Sequence, residues 1–212
     1  MVYSLEKDYI WFPDPALADE DGLLAVGGDL SPERLLLAYS HGIFPWFSEE
    51  TPILWYSPHD RFVLFPEKVK VSASMKQVLR RKQFHVTTDQ NFEEVITACA
   101  EMNRPGQPGT WITADMIDAY IRLHRMGYAH SLEVWEKGQL VGGLYGIIIN
   151  GVFCGESMFS KVSNASKFAL ITLCRNAGFR MIDCQMHTPH LESMGAEYIE
   201  RDRYLEILSQ TT

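Results

Sequence analysis

No apolar run in the chain approaches the roughly 20 residues that a spanning helix needs, so no membrane segment is expected. The sequence does not open on a basic stretch followed by an apolar one, and no signal peptide is read from it. Cysteine is scarce. Cys99, Cys154, Cys174 and Cys184 sit in apolar contexts without C-x-x-C spacing, the pattern of reduced, buried thiols in a cytoplasmic protein. No metal set is visible: His187 and His190 are three apart, but Pro189 lies between them and no third ligand is near. Neither a G-x-S-x-G elbow nor a Walker loop occurs, which excludes the commonest serine-hydrolase and nucleotide-triphosphate signatures. Basic residues are few in the first third. Residues 1–65 carry eleven acids and three bases, whereas residues 66–212 carry sixteen of each. The net charge of −8 argues against bulk affinity for nucleic acid but leaves room for a local basic patch.

The 212 residues, 46% of them hydrophobic, suit one large domain with a small one attached. Residues 1–30 hold Pro13, Pro15 and Gly27-Gly28, and read as loops with at most short strands. Ser31-Pro32-Glu33 predicts a capped helix that ends at Gly42. Ile43–Phe47 and Ile53–Tyr56 are dense in aromatics and broken by Pro45, Pro52 and Pro58, which predicts an irregular wall. Trp46 and Trp55 there suit either a core or, for Trp46 beside Pro45, a flat platform for a ligand. The boundary is placed near Pro66, giving a small N-terminal domain over 1–65 and a larger one over 66–212.

In the larger segment Lys68–Val71 alternates as a strand would. Ser72–Gln83 then reads as a helix whose only charges are Lys76, Arg80, Arg81 and Lys82. Four uncompensated bases on one helix in an acidic protein suit phosphate contacts, or simply a solvated face. The stretch Arg104–Gly109 is a loop that delivers Trp111, a second flat platform. Strands are expected at Phe84–Thr88, Ser131–Glu136, Leu140–Ile149, Val152–Phe159, Phe179–Met186 and Ala196–Ile199, interleaved with helices. Asn150-Gly151 between two apolar runs marks a tight hairpin. The fold class is α+β, built on a mixed sheet.

Two strands hold polar residues where apolar ones are cheapest. Glu156 lies in the middle of V-F-C-G-E-S-M-F. A buried carboxylate is costly unless a polar group meets it, which suits a structural network or a site. Strand alternation places Asp183 and Gln185 on one face of F-R-M-I-D-C-Q-M, with Cys184 on the other. Three polar groups on core strands suit convergence on a reaction centre.

The strand order is similar to that of the acyl-CoA-dependent N-acetyltransferase fold. That family's pyrophosphate loop would fall at Ser160–Lys167, which holds no glycine, and this disfavours a coenzyme A donor. A closer likeness runs from about residue 11 to 208. G-G-D-L-S (27–31), G-I-F-P-W-F (42–47), W-Y-S-P (55–58), G-T-W-I-T (109–113), H-S-L-E-V-W (130–135), L-V-G-G-L-Y-G (140–146), G-E-S-M-F-S (155–160), N-A-S-K (164–167) and I-D-C-Q (182–185) resemble the bacterial leucyl/phenylalanyl-tRNA–protein transferases.

That resemblance implies a cytoplasmic enzyme of N-degron tagging. It would move Leu or Phe from aminoacyl-tRNA (Leu-tRNA, Phe-tRNA) onto proteins with N-terminal Lys or Arg. It implies a small N-terminal domain and an acetyltransferase-like (GNAT-type) C-terminal domain, no cofactor and no metal; a monomer without a membrane partner is expected. Asp183 through Gln185 would be base and orienter, and Glu156 would hold the cationic amino group. Trp46 and Trp111 would stack the 3′-adenosine. Leu144, Phe153, Met158, Leu170 and Leu173 would form the donor side-chain pocket, and Lys76, Arg80, Arg81 and Lys82 would meet tRNA phosphates. Leu144 and Leu173 stand where some members carry Met and Phe, which suits a shifted Leu/Phe preference. Rival readings are an acetyltransferase, a peptidoglycan-bridge aminoacyl transferase and a non-catalytic RNA-binding module. The module reading leaves Glu156, Asp183 and Gln185 unexplained.

Overall fold

A computed structural model describes residues 2–102, 111–176 and 178–210. The expected loop at Arg104–Gly109 lies outside the described residues.

The chain opens with β1 (Tyr3–Leu5) and β2 (Leu23–Gly27), then α1 (Pro32–Ser40), β3 (Phe44–Pro45) and β4 (Leu54–Tyr56). These strands make a four-stranded sheet in the order β1-β2-β4-β3. The aromatic segments, which the sequence predicts as an irregular wall, instead pair as strands, with Pro45 opposite Trp55 in the edge strand β3, where proline is tolerated. Trp55 is fully buried, donates its indole N–H to the Gly27 carbonyl at 2.9 Å and meets Phe12 edge-on at 4.8 Å. Pro32 begins α1 as expected, but Ser31 does not cap it with its side chain. Its hydroxyl donates instead to Asp29 at 2.7 Å, beside the buried Arg34 that the same carboxylate pairs with.

β5 (Asp60–Leu64) leaves this sheet and joins the large one, so the chain enters the large sheet just before residue 66. α2 (Ala73–Arg80), β6 (His85–Thr88), α3 (Phe92–Glu101) and α4 (Ala114–Arg125) follow. Next come the meander β7 (Ala129–Glu136), β8 (Gln139–Ile149) and β9 (Val152–Ser160), and then α5 (Ala165–Asn176) and β10 (Met181–Gln185). The chain closes with α6 (Pro189–Ser193), β11 (Glu197–Glu200) and α7 (Arg201–Ser209). The large sheet has seven strands in the order β11-β5-β10-β9-β8-β7-β6, and only β9 and β10 run parallel within it. This is the mixed α+β sheet that the sequence predicts.

The strand expected at Lys68–Val71 is absent. Pro66–Lys68 is a 3-10 turn, and the Lys70 N–H donates to the Met194 carbonyl at 2.8 Å rather than to a ladder. The hairpin at Asn150-Gly151 is present, with φ of 47° and 72°, as the twist-matching two-residue turn requires.

The large sheet separates two cores. Val63, Tyr145, Cys154 and Met181 face α3, α4 and the small sheet, whereas Phe62, Leu64, Leu144, Phe153 and Ile182 face α2 and α5. Side chains that alternate between faces on each strand account for that partition. The glycines of β8 allow close packing. A Cβ on Gly142 would lie 2.5 Å from the Ala165 Cβ of α5, and one on Gly146 would lie 2.3 Å from the Cys154 carbonyl oxygen and 2.7 Å from the Phe153 ring.

Candidate functional site

Two β-bulges build the site. Tyr145 pairs with Ser157 and Gly146 with Gly155, so Glu156 is an extra residue that β8 does not match. On β10, Asp183 pairs with Val63 and Gln185 with Phe62, so Cys184 is likewise extra. Bulges recur near functional sites because they re-aim a side chain. Asp183 and Gln185 nevertheless reach partners on one side, as alternation predicts, while Cys184 packs with Ile182 on the other. Gln185 takes a left-handed φ of 59°, uncommon for a residue with a side chain.

The result is a division of labour. The Gln185 side-chain amide donates to Glu156 Oε1 at 2.7 Å. Tyr39 of α1 donates to the same oxygen at 2.7 Å, and Tyr120 of α4 donates to Oε2 at 3.0 Å. The two tyrosine hydroxyls also touch each other. Three contacts thus join three groups that hold only two hydroxyl protons while the carboxylate is ionised. Protonation of Glu156 supplies the third. Burial raises the Glu156 carboxyl from its ordinary range to about 7, with the Asp183 charge adding to the rise and the three hydrogen bonds opposing it.

Asp183 meets different partners. Its Oδ1 accepts from Arg61 Nε at 2.9 Å and from the Gln185 backbone N–H at 2.9 Å. Its Oδ2 accepts from Arg61 Nη2 at 2.8 Å and from the Tyr204 hydroxyl at 2.9 Å. Arg61 and Asp183 are both buried, and the guanidinium also lies over the Phe44 and Tyr204 rings, 4.6 Å from each centroid. Burial works against the Arg61 charge, but Asp183 overrides it and holds the guanidinium more firmly cationic than usual. Four donors already occupy this carboxylate, so it is poorly placed to take a proton from a substrate. It fixes the Gln185 peptide from behind. Asp183 and Gln185 are therefore also coupled directly, through the Gln185 backbone N–H.

A cavity of about 640 Å³ opens over this centre, within the range of about 300–1,000 Å³ typical of ligand sites. It brings together Glu156, Asp183 and Gln185, the aromatics Trp46 and Trp111, and the apolar Leu144, Phe153, Met158, Leu170 and Leu173. The Phe153 ring takes its position because Gly146 leaves space beside it. Lys76, Arg80, Arg81 and Lys82 stand apart, exposed on and just beyond α2, without an ion pair among the described residues. The helix is shorter than expected, and Lys82 lies past its end at φ 51°.

Sequence reasoning missed Arg61, Tyr39, Tyr120, Tyr204 and His190. Arg61 had one signal: it is among only three bases in residues 1–65 and is followed by F-V-L-F. The tyrosines carried none, since a buried tyrosine in a helix is ordinary core. His190 lines the cavity, held below its usual pKa by burial and by Lys167, and its buried Nε2 has no partner among the described residues.

Glu156→Gln removes the titration while keeping an amide at the site. A carboxyl raised to about 7 contributes stability fully present below its unfolded value near 4.5 and lost as pH rises through 7. Relative to the variant, the wild-type protein should therefore weaken by on the order of 2–3 kcal/mol between pH 5 and pH 8. Urea unfolding of both proteins at the two pH values measures this. An unchanged difference would show that Glu156 is ionised throughout.

Comparison with known families places these features in context. The family model described as leucyl/phenylalanyl-tRNA protein transferase matches residues 63–209, and that for the N-terminal domain of the same family matches residues 28–59. A leucyl/phenylalanyl-tRNA–protein transferase of Syntrophobacter fumaroxidans is 55% identical over 99% of this chain and 90% of its own length. One from Flavobacterium johnsoniae is 53% identical over 98% of this chain and 99% of its own. Among solved structures, a GCN5-related N-acetyltransferase from Kribbella flavida overlaps at 11% identity and a TM-score of 0.37, covering 78% of this chain and 60% of that one, too distant to carry an argument.

Proposed function

The chain belongs to the leucyl/phenylalanyl-tRNA–protein transferase family, and from that premise we propose how its cavity moves Leu or Phe from aminoacyl-tRNA to the N-terminal Lys or Arg of an acceptor protein. The observation that carries the reading is the convergence of flat aromatics, an apolar pocket and a raised carboxyl on one cavity.

The terminal adenosine of the tRNA lies against Trp46 and Trp111, where stacking contributes roughly 1–3 kcal/mol per base. The Leu or Phe side chain enters the pocket of Leu144, Phe153, Met158, Leu170 and Leu173. An apolar pocket excludes charged side chains strongly but separates neighbours by a methylene only weakly, by about 1–3 kcal/mol. The small difference between Leu and Phe donors thus rests on shape.

The donor is already an activated ester, so the site must mainly orient and move a proton. The acceptor amine has a reference pKa near 7.7–8.0. Glu156, raised to about 7, is matched to take one proton from the ammonium form. The free amine then attacks the ester carbonyl carbon, forming the new C–N bond. Glu156, having released that first proton to solvent, takes the second from the nitrogen after attack. It gives this proton to the departing 3′-oxygen as the ester C–O bond breaks, so that two protons leave the ammonium nitrogen and one reaches the leaving group. Gln185 fixes Glu156 and Asp183 fixes Gln185, the first in the cavity and the second as a positioning residue behind it. Lys76, Arg80, Arg81 and Lys82 meet the tRNA backbone. The use of charged tRNA supports the cytoplasm as the enzyme's location. Attachment of Leu or Phe marks the acceptor for N-degron degradation.

Incubation with radiolabelled Leu-tRNA or Phe-tRNA and two matched proteins tests the reading, one beginning with Arg and the other with Glu. Label should pass only to the first. Intact tRNA binding without transfer would favour a non-catalytic RNA-binding protein.

A further inference from the structure

A second cleft lies at the β6 edge of the large sheet. It measures about 340 Å³, and Lys82, His85, Thr87, Gln90, Trp135 and Lys137 are among its lining residues. No acid lines it, in a protein of net charge −8. Lys82 follows the end of α2, and Lys137 is the first residue of the β7–β8 turn, with φ of 51° and 52°. Neither lysine has an ion-pair partner among the described residues. Two exposed cations are thus held on either side of one hollow with nothing to neutralise them.

The floor of the hollow is aromatic. His85 and Trp135 are directly paired residues of β6 and β7, so their side chains stand side by side on one face. The Trp135 indole N–H donates to Thr87 Oγ1 at 2.8 Å, and Thr87 in turn donates to Glu133 at 2.5 Å. That chain fixes the orientation of the ring and uses up its only donor. A fixed aromatic ring between two free cations fits a planar base with phosphates on either side. β6 lies three strands from β9, or roughly 15 Å at the usual strand spacing, so this hollow is separate from the transfer cavity. It also adjoins the basic end of α2.

We propose that this cleft is a second RNA site, which holds one nucleotide of the tRNA away from the aminoacylated end. The base lies on Trp135, and Lys82 and Lys137 contact the flanking phosphates. The proposal rests on tRNA being the donor. Its role is to fix the approach of the tRNA body, so that the 3′ end enters the transfer cavity from one direction.

Lys137→Gln is the first test, because this exposed turn residue supports no packing. Binding of uncharged tRNA is measured against salt concentration for the wild-type protein and the variant. The expected result is a severalfold weaker Kd and a salt slope smaller by about 0.7–0.9 units, the value of one lost phosphate contact. Trp135→Phe, which keeps a ring, should bind close to wild type, and Trp135→Leu should not, with folding verified by circular dichroism. An unchanged slope for Lys137→Gln, together with equal binding by the two Trp135 variants, would overturn the proposal. Label transfer by the wild-type enzyme tests the transferase reading separately. Normal transfer with an unchanged salt slope would reject the second site alone.

Discussion

Asp183→Asn should unfold the protein more readily than any other single change to the site. The substitution keeps the shape of the side chain but removes the charge that Arg61 faces from inside the core. Breaking one partner out of a buried ion pair typically costs about 3–5 kcal/mol, because the remaining charge is left uncompensated. The new amide would also point a donor at Arg61 Nη2 or at the Tyr204 hydroxyl, both of which now donate to Asp183. Against a total stability of about 5–15 kcal/mol for a domain, that loss is severe. Replacing both partners, as Arg61→Met with Asp183→Asn, should recover part of it, since no lone charge is left behind. Urea unfolding at pH 7 of the wild type, both single variants and the double variant closes the cycle. A cost below about 1 kcal/mol for Asp183→Asn would return Asp183 to the role of a free base.

This expectation differs from the sequence reading for a specific reason. Alternation along the strand rightly put Asp183 and Gln185 on one side and Cys184 on the other, but it says nothing of what meets them there. The partner that decides the role of Asp183, Arg61, lies 122 residues away in sequence. No local pattern connects them. Glu156 could be singled out because an acid in an apolar strand is conspicuous whatever surrounds it. Its bulge and its two tyrosine partners could not, since Tyr39 and Tyr120 sit on helices with ordinary core patterns. The hairpins and the mixed sheet were legible from turn residues and periodicity, whereas the strand pairing of the proline-broken aromatic segments was not. Lys68–Val71 had the alternation of a strand, but a 3-10 turn takes up Pro66–Lys68 and the Met194 carbonyl takes the Lys70 N–H.

The second large effect concerns Glu156 itself. Its carboxyl lines the cavity, is raised to about 7 and is held by Tyr39, Tyr120 and Gln185. Glu156→Gln keeps the side chain's size and its capacity to hydrogen-bond, but it cannot take up a proton. General-base catalysis commonly contributes about 10²–10⁴-fold, so the variant should lose that much in transfer rate while it folds and binds tRNA normally. The loss should shrink at high pH. There the acceptor amine, with a reference pKa near 7.7–8.0, is already free of its proton and needs no base to remove it.

The most direct measurement is therefore the single-turnover rate of transfer from Phe-tRNA to an acceptor with N-terminal Arg, followed from pH 6 to pH 9 in both proteins. The wild-type profile should rise through two ionisations, one near 7 from Glu156 and one from the acceptor amine. The Glu156→Gln profile should lack the first, lie at least a hundredfold lower at pH 7 and approach the wild type toward pH 9. Two profiles of the same shape, within tenfold of each other at every pH, would contradict the assignment and leave proton transfer to the substrates themselves.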